Sequence, residues 1–201
     1  MTIPAIDHAQ GMLAEAERMN PGPWVEHSRV AARMARTIAE KCGLDADAAF
    51  ALALLHDIGR REGRTDFRHM VDGYRYLAAQ GFDDAAAVCL THAFPFPDVT
   101  VYQGEVDCSP ADYAFLGKFL VERPYTDYDR LTQLCDSLAL PAGPVLMEKR
   151  LVDVGMRRGL PEFTLRKWKA NFELLRYFDE KVGGSVYALF PDVVQNTFGP
   201  L

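Results

Sequence analysis

The stretch ALALLHDIGRREGR, residues 51–64, runs from a strongly apolar segment into a polar, arginine-rich turn. The doublet His56-Asp57 follows the apolar residues directly. Residues three and four positions apart share one face of a helix, so Leu52, Ala53 and His56 lie together. The spacing therefore predicts a helix that directs the His56 imidazole toward the protein core, with a carboxylate beside it.

Three further histidines, His27, His69 and His92, have apolar residues at the same helical spacing and are also predicted to point inward. Gly73 shares the face of His69 and would allow another element to approach closely. One inward histidine is commonly a hydrogen-bonded core residue, whereas four beside a carboxylate would leave several polar groups unsatisfied. A divalent metal ion satisfies all of these groups, and imidazole with carboxylate is the usual ligand set of zinc, iron, manganese and nickel. The sequence therefore predicts a metal site.

A candidate carboxylate ligand lies further along the chain, in LTQLCDSLA at residues 131–139. Core-type residues surround Asp136 in this segment, which favours an inward position. Asp127 and Asp129 instead have the pattern of a helix N-terminus, where acidic side chains favour the helix dipole. Asp136 is therefore the predicted acidic ligand, and a solvated acidic helix face is the alternative interpretation.

Helical periodicity extends over nearly the whole chain, and no stretch alternates convincingly enough to predict a strand. Prolines and a glycine at residues 20–23 separate the first two helices, and Asp45 has the character of a helix N-cap. We therefore predict an all-α fold with a single domain over residues 1–201. The predicted helices cover approximately residues 6–19, 24–42, 46–59, 67–80, 83–91, 110–121, 127–140, 143–158 and 164–181, with a short helical turn at 185–190.

The sequence AFPFPDVTVYQGEVDC, residues 93–108, interrupts the helical pattern with two prolines and a glycine. A loop of this length in a compact domain is usually functional or mobile, so we interpret it as a lid or a wall of a substrate pocket. Its aromatic residues Phe94, Phe96 and Tyr102 fit two interpretations: they either stack on a nucleotide base or anchor the loop to the core.

The order of these residues, with His27 first, then the His56-Asp57 doublet and then Asp136, resembles the HD-domain metal-dependent phosphohydrolase superfamily. That family is all-helical and is named for its histidine-aspartate doublet, of which HDIG is a frequent form. The resemblance covers residues 24–140 and implies an HD-domain helical bundle.

In that family the first histidine, the doublet and the late aspartate bind one metal ion, and members with two ions have two more histidines between the doublet and the aspartate. The resemblance thus implies one or two divalent ions, bridged by Asp57 if there are two, and does not distinguish Fe, Mn, Co, Ni, Zn and Mg. Ala93 stands where a second adjacent histidine would be, and there is no GYP-type sequence, which argues against the cyclic-dinucleotide phosphodiesterase branch. The implied ligands are His27, His56, Asp57, His69, His92 and Asp136.

The resemblance implies hydrolysis of a phosphate ester or anhydride in a small, nucleotide-like substrate through a metal-activated hydroxide. The residues expected to take part in catalysis are Asp57, Arg60 and Arg64. Asp57 would hold the metal ions, and the guanidinium groups of the two arginines, in the turn after the doublet, suit phosphate oxygens. A solvated basic turn paired with Glu62 and Asp66 is the alternative. Two other functions stay open: the ligand order is also similar to that of the mixed-valent diiron oxygenases of the HD superfamily, and a non-catalytic sensor could hold a nucleotide in such a pocket.

Composition excludes several classes of protein. Of the 201 residues, 49% are hydrophobic and 25% are charged, which is typical of a soluble globular chain and not of a disordered, collagenous or disulfide-scaffold one. A net charge of −6 gives no indication of a nucleic-acid surface. The first ten residues do not resemble a signal peptide, no apolar run is long enough to cross a membrane, and the four cysteines form no CxxC pair. We therefore expect a cytoplasmic protein.

Residues 141–201 are expected to form a C-terminal helical extension that packs on the HD-domain core. Residues 148–187 are rich in aromatic and basic side chains, but nearby acidic residues balance the charge, which favours a pair of packing helices over a nucleic-acid patch. This pair would either cover one mouth of the site or form the surface of a homodimer. The expected partner is a phosphorylated small molecule, with no membrane and no nucleic acid.

Overall fold

The computed structural model describes residues 1–199, and α-helices make up most of them. The fold is helical as predicted, apart from one hairpin with two residues in each strand. Within the described range, no helix is both long and apolar enough to cross a bilayer. The helices are α1 Ile6–Met19, α2 Pro23–Cys42, α3 Ala46–Leu55, α4 Arg68–Ala78, α5 Asp83–Thr91, α6 Pro110–Glu122, α7 Asp127–Leu138, α8 Met147–Arg158, α9 Thr164–Val182 and α10 Val193–Phe198, the 3-10 helices are Ile58–Glu62, Val99–Val101 and Val186–Leu189, and the strands are β1 Ala139–Leu140 and β2 Gly143–Pro144.

The predicted helices correspond to α1 through α9, with two corrections to their boundaries. The third helix ends at Leu55 rather than near residue 59, because the chain tightens into the 3-10 helix Ile58–Glu62. The predictions that helices reach residue 140 and start at 143 are wrong, since residues 139–144 form the antiparallel hairpin. Pro141 and Pro144 explain this difference, because a proline disfavours helical backbone at the residue before it.

The main core lies between α2 and α3, which pack along their lengths and are covered by α1 and α7. Ala35 and Ile38 on the predicted inner face of α2 are fully buried there. A second apolar cluster lies under the loop of residues 93–108, where Phe94 packs with Phe67. The two clusters fix the helix ends that carry the histidines.

The C-terminal helices contact the bundle directly. Helix α9 packs against α2 and α7, and α8 packs against α7. Leu151 of α8 and Leu175 and Phe178 of α9 belong to the main core. This packing brings one face of α8 and α9 to the end of the bundle where the histidines lie.

Candidate metal centre

Five of the six predicted ligands come together where helices start or stop. His56 and His92 are the first residues after α3 and α5, and Asp57 precedes the 3-10 helix. The ligand atoms of His27, His56 and Asp57 all lie within 4.8 Å of one another, and so do those of Asp57, His69 and His92. Asp57 belongs to both groups and therefore lies where a bridging ligand would.

Asp136 of α7 joins the first group. Its Oδ1 atom lies 3.0 Å from Nε2 of His27 and 4.0 Å from Nε2 of His56. Asp129, one of the two acids that the sequence placed at the start of this helix, is buried in a capping box with Thr126. The two carboxylates thus differ as predicted, one facing the histidines and the other capping the helix.

All four histidines have the same tautomer. In each ring Nδ1 contacts a main-chain carbonyl oxygen, which can only accept a hydrogen bond, so Nδ1 donates, and in the neutral ring Nε2 keeps its lone pair. In three of the four, the carbonyl belongs to the residue three positions earlier. The contacts are His27 to Ala139 at 3.2 Å, His56 to Ala53 at 2.7 Å, His92 to Cys89 at 2.9 Å, and His69 to Asp66.

In this tautomer, the Nε2 lone pairs of the neutral rings face other hydrogen-bond acceptors in the site. Nε2 of His69 lies 3.0 Å from Oδ1 of Asp57 and 3.5 Å from Nε2 of His92. Among residues 1–199, the buried atoms Nε2 of His56 and Oδ1 of Asp57 have no hydrogen-bond partner. Acceptors that face one another in a buried site repel each other, and divalent cations between them would turn that repulsion into coordination. The residues present therefore fit a metal centre.

The titration of these groups favours the same form. Burial lowers the pKa of His92 to about 3 and also lowers the pKa of His56, so both rings are neutral. Burial works against ionisation of Asp57, but the Arg60 guanidinium together with the adjacent His56 and His69 side chains outweighs this effect and holds the pKa of the carboxyl well below its usual range. Neutral imidazole with ionised carboxylate is the form that binds a metal ion.

Gly73 has the role that its position on the face of His69 predicted. A Cβ atom at Gly73 would lie 3.1 Å from the amide nitrogen of Gly59 and 3.0 Å from Sγ of Cys89. The missing side chain lets α4 approach the 3-10 helix and α5 at the same point. His69 is thereby brought within reach of Asp57.

The centre opens into a pocket of about 500 Å³, a volume typical of small-molecule sites. Its lining combines metal-ligand candidates with basic side chains, most of which come from the C-terminal helices. The indole rings of Trp24 and Trp168 line the same pocket. The basic residues of the lining are Arg60, Arg150, Arg157, Arg158 and Lys167.

The two arginines predicted to contact phosphate are placed differently. Nε of Arg60 donates to Oδ2 of Asp57 at 2.8 Å, and its Nη1 donates to the carbonyl oxygen of Thr65 at 3.2 Å. Arg64 is exposed and lies outside the pocket lining. The expectation for Arg64 is corrected: the 3-10 helix ends at Gly63, whose φ is 125°, and the chain leaves the centre there.

Sequence reasoning missed the basic residues of α8 and α9. Asp153 follows Arg150 by three residues, and its Oδ2 atom lies 3.6 Å from Nη1 of Arg150. Oppositely charged residues at this spacing are typical of the solvated face of a helix. Lys167 lies between other basic residues in a segment predicted to pack and to cover one mouth of the site or form a homodimer surface, with no residue of it predicted to bind substrate. Because the charges balanced along the chain, no spacing distinguished these two side chains from surface residues.

The loop of residues 93–108 forms one wall of the pocket, in agreement with its interpretation. Phe94 is fully buried and therefore anchors the loop rather than stacking on a ligand. The Tyr102 hydroxyl donates to Oδ1 of Asp66 at 2.7 Å, and the Arg166 guanidinium lies 4.1 Å from the ring centre of Phe96. The loop residues that line the pocket are Ala93, Pro95, Tyr102 and Gln103.

Comparisons with known proteins agree with this geometry. No curated protein matches the chain. Among solved structures, the chain is similar to the crystal structure of the L. monocytogenes phosphodiesterase PgpH HD domain, with 17% sequence identity and a TM-score of 0.51 over 89% of this chain and 96% of that chain. This likeness is one of fold. The sequence model of the HD domain matches residues 24–140, which is more than half of the chain and contains all six candidate ligands. The chain therefore belongs to the HD domain family.

Proposed function

We propose that this protein is a metal-dependent phosphohydrolase that cleaves a phosphate ester or anhydride in a small, nucleotide-like molecule. The observation that carries the proposal is the convergence of four Nε2 lone pairs and two carboxylates at the base of a pocket with basic walls. Membership of the HD domain family supports it. Basic side chains beside a metal centre suit an anionic substrate such as a phosphate.

The ligands divide into two groups. His27, His56 and Asp136 would hold one ion, His69 and His92 would hold a second, and Asp57 would contact both. When bound, two divalent ions lower the pKa of a water molecule between them and stabilise the charge on the attacking and leaving oxygens.

Arg60 acts on this centre through Asp57. Its hydrogen bond to Oδ2 leaves Oδ1 of the carboxylate directed toward His69 and His92. The guanidinium also lines the pocket, so its remaining N–H groups can donate to a phosphate oxygen. Arg60 is therefore proposed both to orient the bridging carboxylate and to neutralise phosphate charge.

The nucleotide-like part of the proposal rests on the indole rings of Trp24 and Trp168. Both side chains are half-buried and line the pocket together with Leu140 and Leu151. Flat aromatic surfaces of this kind favour a flat, partly apolar group such as a nucleobase. Of the loop aromatics, Phe94 is buried in the core, and Tyr102 lines the pocket with its hydroxyl bonded to Asp66.

The test is phosphate release from a panel of nucleoside phosphates, p-nitrophenyl phosphate and bis(p-nitrophenyl) phosphate, with Mn²⁺, Co²⁺ or Fe²⁺ supplied and metal content measured in parallel. We expect activity that depends on the metal and is lost in His56→Ala. His8→Ala is the matched control, because His8 is exposed and outside the centre. Retained hydrolysis in His56→Ala would contradict the proposal.

Two other outcomes would replace it. Oxygen uptake by a protein that holds two iron ions, without hydrolysis, would indicate a diiron oxygenase. Full metal occupancy without turnover of any substrate, together with nucleotide binding, would indicate a sensor.

A further inference from the structure

Arg150 of α8 has a guanidinium with few partners. Its Nη2 atom lies 3.8 Å from Oδ1 of Asp136 and its Nη1 atom lies 3.6 Å from Oδ2 of Asp153. Both distances are longer than a charge-assisted hydrogen bond of about 2.7–2.9 Å. The buried Nε atom has no partner among residues 1–199. Arg150 therefore keeps donors available beside a candidate metal ligand.

Lys167 of α9 lines the same pocket and is half-buried. Its Nζ atom donates to the carbonyl oxygen of Val101 at 3.2 Å, and within the described part of the chain no carboxylate lies within 4.0 Å of it. The charges that act on it are those of Asp136 and Arg150. A half-buried ammonium without a carboxylate partner is costly, unless an anion completes its surroundings.

The two cations lie outside the residues that match the family, on helices that the HD-domain core itself does not contain. Both line the pocket that also contains the carboxylate of Asp136, which lies 3.8 Å from the Arg150 guanidinium. We propose that Arg150 and Lys167 together bind the phosphate group of the substrate, and that the substrate is a molecule with a terminal phosphate rather than a phosphodiester. This inference rests on the proposed function.

The number of acceptor oxygens favours a terminal phosphate. Arg150 and Lys167 each need an acceptor, and the adjoining metal centre needs at least one more. A terminal phosphate has three free oxygens and a charge near −2, whereas a diester has two free oxygens and one charge. A terminal phosphate can therefore offer each of the three neighbours its own oxygen, whereas a diester would have to share one oxygen between two of them.

The experiment measures the affinity of the Mn²⁺-loaded protein for inorganic phosphate by isothermal titration calorimetry. We expect Lys167→Met and Arg150→Met each to raise the dissociation constant about tenfold or more, because each removes a charge-assisted hydrogen bond. The matched controls are Lys169→Met on α9 and Lys149→Met on α8, since both lysines are exposed. Manganese content and melting temperature report whether each variant keeps the centre and the fold.

Turnover adds a second measurement. The same variants should raise KM for p-nitrophenyl phosphate more than they lower kcat, and the wild type should prefer this monoester to bis(p-nitrophenyl) phosphate. If a methionine variant does not fold, Lys167→Gln or Arg150→Gln replaces it, because glutamine keeps a polar side chain without the charge.

Each outcome decides one question. Unchanged phosphate affinity in variants of both residues, with metal content intact, overturns the phosphate site even if the protein hydrolyses esters. A preference for the diester overturns the assignment of a terminal phosphate. If the variants bind phosphate more weakly but the wild-type protein hydrolyses no substrate, the phosphate site is supported and the phosphohydrolase function is contradicted.

Discussion

Gly59 packs so closely against His69 that a side chain at position 59 would overlap the carbonyl oxygen of His69. The same side chain would also overlap the amide nitrogen of Gly73. Gly59 follows Asp57 by two residues in the 3-10 helix, and His69 lies at the start of α4. This backbone contact therefore sets the separation between the shared carboxylate and one of its histidine neighbours.

The contact predicts the effect of Gly59→Ala. Because the methyl group would meet backbone atoms that cannot rotate away, we expect a loss of about 1–3 kcal/mol in the free energy of unfolding. Metal content should also fall, since α4 must move away from Asp57. Urea denaturation and elemental analysis check both effects. Gly11→Ala is the control, because a Cβ atom there meets nothing within 4 Å and should slightly stabilise α1. Equal stability of the two variants would contradict the prediction.

The two ligand groups predict separable losses of metal. We expect His92→Ala to remove one ion and to leave the ion held by His27, His56 and Asp136. Asp57→Asn should remove both, because Asp57 belongs to both groups. Elemental analysis of metal per chain after equilibration with Mn²⁺ measures this. A His92→Ala protein with the same metal content as the wild type would show that the second group does not hold an ion.

The lowered pKa of the Lys167 ammonium leads us to expect that anion binding depends on pH. Burial and the nearby charge of Arg150 lower the pKa of this ammonium to about 8, against the opposing charge of Asp136. The group is therefore charged below this pH and neutral above it, so phosphate affinity should fall as the pH rises through about 8. Arginine does not titrate in this range, and Lys167→Arg should lose that part of the pH profile. Identical profiles for the two proteins would exclude Lys167 as the titrating group.

The same shift has a consequence for stability. Between about pH 8 and 10.5 the unfolded chain binds a proton at Lys167 that the folded chain does not. The proton bound by Lys167 in the unfolded chain is lost as the pH rises across that window, so the folded protein becomes more stable relative to the unfolded chain. Lys167→Arg should lack this increase in denaturation experiments.

Two hydrogen bonds from the Gln133 side chain attach the start of the loop of residues 93–108 to α7. The buried Nε2 atom of this side chain donates to the carbonyl oxygens of Thr91 and Phe94 at 3.0 and 2.9 Å. Gln133→Leu leaves both carbonyls without this donor and should lower the free energy of unfolding by about 1–3 kcal/mol. Hydrogen exchange of the loop amides should become faster. Gln80→Leu, which removes an exposed glutamine bonded to the carbonyl oxygen of Tyr76 at the end of α4, should change neither quantity.

The sequence predicted the helices and the histidine cluster because both depend on local periodicity. Apolar residues three and four positions from His27, His56 and His92 indicate the buried face of a helix, whatever that helix later packs against. The choice of Asp136 over Asp129 depended on the same local signal, since one has apolar neighbours and the other starts a helix.

The remaining parts of the site depend on contacts between distant segments. Arg64 is near the doublet in sequence, but the turn at Gly63 separates it from the pocket. Arg150 and Lys167 are far from the doublet in sequence, and only the packing of α8 and α9 against the bundle brings them to the pocket. Proximity along the chain was therefore a poor guide to the basic side chains that line the pocket.

The partners that orient the four imidazoles are all main-chain carbonyl oxygens. No exchange of one amino acid for another removes such an oxygen, so a change of side chain at Ala53 or Cys89 leaves the acceptor of the ring's hydrogen bond in place. The orientation of the rings is instead vulnerable to changes that alter the course of the backbone, such as a proline, an insertion or a deletion near the helix ends. Substitutions around the centre that fit the core and preserve the length of each helix therefore keep all four acceptors in place.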